Sequence, residues 1–219
     1  MAPQPNGQDG KLALPPAGAP ELIQYYPNIG SMGAAFAMYT LVPGMTAARV
    51  EEIAAEIEAP WTRMLGDGDF DKDLRLARAP ADDDDQCRVA SVTEAIAAHA
   101  ALPKYAEEDV DKKSPWFLET ALLLVTKDDV SDPHALLLVY VDTEDETYCP
   151  EEDHEDDEPR YDLSGKLDKF FIDVCLAHSA IMSFLMGDNT FNDSKLTYNA
   201  DSDTYDIAPL IERRADLFS

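Results

Sequence analysis

The sequence predicts an α+β domain: a small, mostly antiparallel sheet packed against several helices. Two runs of strand length, residues 117–125 and 135–142, are leucine- and valine-rich with almost no alternation, as in strands covered on both faces. Nine residues separate them, too few for a helical crossover, so the two should pair antiparallel. Apolar residues elsewhere recur at helical spacing, and helices interspersed with adjacent antiparallel strands define the α+β class. The 219 residues suit a single domain, here bounded at 21–219, and no repeat at solenoid or propeller periods runs through them.

Residues 1–20 contain repeated prolines and no apolar core segment, so they read as a disordered lead and not as a secretory signal. Ile29-Gly30-Ser31-Met32-Gly33-Ala34 reads as a structural turn, because it lacks one glycine of a dinucleotide fingerprint and no acid closes a second strand behind it. Val50, Ile53, Ala54 and Ile57 trace one helical face, with Thr46 as N-cap and Pro60 as the stop. Ser91 and Glu94 have capping-box spacing and open a helix that ends before Pro103. Leu167, Phe171, Val174, His178, Ile181 and Leu185 predict one long helix over 165–186, with a strand followed by a shorter helix as the alternative. Residues 195–199 and 204–207 read as a hairpin, and a short helix from Pro209 closes the chain.

Charge divides the function classes. Forty-four acidic residues face 17 basic ones, giving a net charge of −27 and a pI near 4.2. That opposes direct nucleic-acid binding and docking on anionic lipid, both of which need a basic surface. Asp82, Asp83, Asp84 and Asp85 are consecutive, and 12 of the 21 residues in 142–162 are acidic. Together these segments carry 15 of the 27 net negative charges. The second reads as a mobile acidic loop over about 143–162.

Metal chemistry has two weak footholds. Asp67, Asp69, Asp71 and Asp73 alternate as in the first half of a calcium loop, but Lys72 and Arg78 stand where glycine and a bidentate glutamate belong. Cys149 with His154, and Cys175 with His178, could supply two thiolates and two imidazoles to zinc. The simpler reading makes Cys175 a small buried residue and His178 a core imidazole. Neither site displaces the expectation of no cofactor. Three cysteines at irregular spacing form no disulfide framework, consistent with a reducing cytoplasm or nucleus.

No G-x-S-x-G elbow, H-E-x-x-H, Walker loop or C-x-x-C occurs. His99 reads as packing and His134 as exposed. The sequence therefore leans away from catalysis, toward a soluble acidic protein that engages a basic partner through Asp82, Asp83, Asp84, Asp85, Glu151, Glu152, Asp153, Glu155, Asp156, Asp157 and Glu158. The rivals are an enzyme with its site near His178 and an acidic domain whose charge only keeps it soluble.

Overall fold

A computed structural model describes residues 9–15, 34–65, 75–102, 117–142, 166–185 and 195. Its elements, in chain order, are α1 (Asp9–Leu12), β1 (Ala35–Thr40), α2 (Ala47–Leu65), β2 (Ala77–Arg78), α3 (Asp84–Cys87), α4 (Val92–Ala100), β3 (Phe117–Val125), β4 (Leu136–Asp142), β5 (Lys166–Ile172) and α5 (Val174–Leu185). Among the described residues five strands form one open sheet in the order β2-β1-β3-β4-β5. The α+β class holds. The predicted pairing of 117–125 with 135–142 is present as antiparallel β3–β4, and β5 extends it antiparallel.

The sheet is mixed, however, because β2 and β3 both run parallel to β1. Neither β1 nor β2 was anticipated. All six residues of β1, Ala-Phe-Ala-Met-Tyr-Thr, are buried, so no polar alternation marks it, and its alanines carry little strand propensity. Two-residue β2 is too short to show a period. Parallel neighbours need a crossover, and α2 supplies it between β1 and β2.

Register assigns the side chains to two faces. Met38, Leu123, Leu138 and Phe170 form one row and Tyr39, Leu124, Leu137 and Phe171 the next. Both rows are buried. The first face carries α5, whose Ala177, Ala180 and Ile181 meet Phe36, Leu123, Leu138 and Ile172. The Phe36 and Phe184 rings meet edge to face at 6.0 Å. Helix α2 packs on α5, burying the predicted stripe Val50, Ile53, Ala54 and Ile57. The second face receives α4, whose Val92, Ala95, Ile96 and His99 are buried.

The caps show how local chemistry fixes these helices. Thr46 Oγ1 accepts from Arg49 N at 3.2 Å, as its N-cap role requires, and Asp84 Oδ1 accepts from Ala47 N at 2.7 Å. Ser91 Oγ accepts from Glu94 N, while the Glu94 carboxylate returns to Ala90 N at 2.6 Å. Pro60 does not stop α2, which runs on to Leu65. Proline removes one internal bond and crowds the preceding turn, but three packed turns already hold the helix, and Arg63 Nε donates to the Ala59 carbonyl at 3.0 Å.

The long helix expected over 165–186 is instead β5 followed by α5, so the alternative reading is the correct one. Asp173 makes the break: its Oδ1 accepts from Cys175 N at 2.7 Å and its carbonyl accepts from Leu176 and Ala177. Ahead of it, Phe170, Phe171 and Ile172 favour a strand. Within the stretch read as a disordered lead, α1 is a single helical turn, and Leu12 and Leu14 pack partly against the core. The remainder of that lead, the acidic loop at 143–162, the proposed hairpin apart from Lys195 and the final helix lie outside the described residues.

Edge strand β2 is covered by carboxylates of α2. Glu51 and Glu58 lie two turns apart on one helix face. Glu58 Oε1 accepts from Leu76 N at 2.8 Å and Glu51 Oε1 from Ala79 N at 2.6 Å. Arg75 donates to both glutamates at 2.9 Å. The amides that would otherwise template another strand are thereby occupied.

Candidate functional site

The four consecutive aspartates divide into two roles. Asp83 caps α3, accepting from Asp85 N at 2.8 Å, and Asp84 caps α2. Both therefore spend acceptor capacity on backbone amides. Asp82 and Asp85 are exposed, and Asp85 pairs with Arg88 at 2.5 Å while its side chain stays 87% accessible. Such a surface pair holds its carboxylate only weakly. Glu151, Glu152, Asp153, Glu155, Asp156, Asp157 and Glu158 lie outside the described residues, as do Asp67, Asp69, Asp71, Asp73, Cys149 and His154.

Of the zinc candidates, Cys175 and His178 are described. Cys175 is exposed in the first turn of α5, not buried as its type suggested, because Asp173 starts the helix there and turns position 175 outward. His178 is buried, its Nδ1 3.2 Å from the Cys175 carbonyl and its Nε2 3.1 Å from Ser179 Oγ. Both ring nitrogens thus have local partners. Among the described residues no three His, Cys, Asp or Glu side chains converge as metal ligands. The space between the sheet and α5 is an apolar cavity of about 10 Å3 lined by Phe36, Leu123, Leu138, Ile172, Ala177, Ala180 and Ile181. It has room for about one water molecule and offers that water no polar partner.

The opposite face of the sheet holds the more unusual chemistry. Here β1 advances from Ala35 to Ala37 while its partner on β3 advances from Phe117 to Leu122, so β3 bulges around Leu118 and Thr120. His99 of α4 reaches this bulge, its Nε2 2.8 Å from the Leu118 carbonyl. A carbonyl only accepts, so Nε2 carries the proton and Nδ1 presents a lone pair. Among the described residues that Nδ1 has no hydrogen-bond partner, nor do the buried hydroxyls of Tyr39 and Thr120. The Tyr39 ring meets the His99 ring edge to face at 6.2 Å. Burial lowers the His99 pKa from 6.5 to about 4, against the opposing effect of the Leu118 hydrogen bond. Burial, with a smaller contribution from Cys87, raises that of Tyr39.

On the edge strand of the same sheet lies Arg78. It stands opposite Ala37 on β2, and its guanidinium sits 5.3 Å from the centre of the Phe117 ring. Of the five described arginines, Arg49, Arg75 and Arg88 pair with carboxylates and Arg63 with a carbonyl. Arg78 alone among them has no oxygen within hydrogen-bonding distance, and its pKa is lowered chiefly by burial. Sequence reasoning missed Arg78 and Tyr39 because β1 and β2 carried no periodic signal; Thr120 lies in a strand it did predict, but the bulge there left no mark in the apolar pattern, and His99 was treated as packing. His134 is half-buried, its ring edge-on to Phe171 at 4.8 Å, so it is less exposed than its turn position implied.

No family model matches the chain, and neither a curated protein nor a solved structure does. Among the described residues no helix is long and apolar enough to cross a membrane.

Proposed function

We propose that the protein is a non-catalytic interaction protein, working in the cytoplasm or nucleus, that engages a basic protein partner through clustered carboxylates. The observation that carries this reading is the concentration of charge: residues 82–85 and 142–162 hold more than half of the net −27. Clustered charge speeds encounter with an oppositely charged partner and sets its orientation. The local structure at 82–85 supports it. Asp83 and Asp84 tie the segment to α3 and α2 through backbone amides, so Asp82 and Asp85 project from a fixed base and lose little entropy on binding. Glu151, Glu152, Asp153, Glu155, Asp156, Asp157 and Glu158 supply the larger share of the charge.

The experiment isolates a partner by capture on the full chain followed by salt elution, then measures its affinity for the intact protein and for a deletion of 143–162. The deletion should weaken binding at least about tenfold, and the intact complex should weaken as salt rises. Equal affinity for both proteins would refute the role of the segment. The rival, an enzyme site beside His178, gains no support from the apolar cavity at α5.

A further inference from the structure

Helix α4 meets the sheet through an incompletely satisfied interface. Buried polar atoms are normally paired, yet among the described residues Tyr39 of β1, Thr120 of β3 and His99 of α4 each leave one enclosed polar atom without a hydrogen-bond partner. Such an atom gives up its water and recovers nothing, so the docked helix is held less firmly than its apolar contacts imply. Those contacts are themselves few. The nine residues of α4 bury Val92, Ala95 and Ile96 and pack chiefly on one strand, β3, whereas α2 is held by α5, β2 and β1. The hydrogen bond from His99 Nε2 to the Leu118 carbonyl joins α4 to the bulged part of β3.

We propose that α4 is an acid-released cover on this face of the sheet: protonation of His99 undocks the helix from β3 and bares Tyr39 while the rest of the sheet stays folded. In the docked helix Nε2 already donates to a carbonyl, so the second proton must go to Nδ1. There it meets no acceptor, and the imidazolium is enclosed without a counter-charge. The groups that face the ring from the neighbouring elements are neutral. They are the Leu118 carbonyl of β3 and the Tyr39 ring of β1, whose pKa is raised by burial and by Cys87. Glu94 of α4 itself is exposed and turned back to Ala90 N. Among the described residues no charged group acts on His99, and burial lowers its pKa against the Leu118 bond. Water solvates both ring N–H groups once the helix undocks, so opening takes up a proton. A nine-residue helix is marginal in water by itself, so the undocked segment loses its amide protection. Strand β4, paired on both sides, exchanges only through a larger opening.

The test is native-state hydrogen exchange of the full chain at pH 7, 6 and 5, at fixed ionic strength and corrected for the intrinsic pH dependence of exchange. At pH 7 the amides of residues 95–100 should be at least about tenfold less protected than those of β4, and nearly indifferent to low concentrations of urea, as a local opening requires. With His99 titrating near 6.5 when undocked and about 4 when docked, protection in α4 should fall about twentyfold from pH 7 to 5. In His99→Gln the fall should be less than about threefold. Wild type alone serves if that variant fails to fold, because the opening constant must then follow the uptake of a single proton between those two pKa values. Exchange of α4 and β4 through one common opening with the same urea dependence would overturn the proposal. So would protection in α4 that does not change with pH, or an equal fall in the folded variant.

Discussion

Acidification should destabilise the protein through one residue before its carboxylates begin to titrate. His99 is about 5% exposed and held neutral, with its pKa brought down from 6.5 to about 4 by burial. In the unfolded chain it titrates near 6.5, so between these values the unfolded state binds more protons than the native state. Stability is therefore complete above about pH 7 and falls as pH drops. The full difference corresponds to about 3 kcal/mol, of which about 2 kcal/mol is lost by pH 5. The assay is urea unfolding at pH 7, 6 and 5 in wild type and His99→Gln, at constant ionic strength. Glutamine keeps a donor for the Leu118 carbonyl and does not titrate in this window. The difference between the two proteins cancels the contributions of every other group. Wild type should lose about 2 kcal/mol relative to His99→Gln from pH 7 to 5; a pH-independent difference would refute the argument that His99 is buried and neutral.

Three further outcomes follow from packing and caps. Leu138→Ala, beneath α5 in a buried apolar layer, should cost about 2–5 kcal/mol in chemical denaturation. Asp173→Ala removes the acceptor for Cys175 N and should cost about 1 kcal/mol, with faster amide exchange in the first turn of α5. Glu58→Gln weakens the hold on Arg75 and on the Leu76 and Ala77 amides; exchange at those two amides should rise while β4 stays protected.

The parts of the fold that were legible in the sequence are those in which a strong period met a strong boundary. The stripe of α2, the Thr46 and Ser91 caps and the β3–β4 pairing all have that character. Residues 166–185 were misread because side chains on a buried strand and a following helix can mimic a continuous 3.6-residue stripe. Asp173, a good N-cap in the middle of the pattern, was the available signal. Pro60 misled because tertiary packing outweighs a single lost bond. The buried group around His99 was illegible for a different reason. It depends on β1 passing between β2 and β3, a non-local pairing that no local period encodes. At residues 82–85 the charge was plain, but that Asp84 caps a helix 37 positions earlier follows only from the fold.

The central claim, that clustered carboxylates and not diffuse acidity make the interaction surface, is tested most directly by comparing two charge-matched variants against the captured basic partner. Asp82→Asn with Asp85→Asn removes two charges from the cluster, and Glu52→Gln with Glu56→Gln removes two from the exposed face of α2. The account predicts that the first pair weakens association several-fold and the second leaves it nearly unchanged; equal losses in both would contradict it.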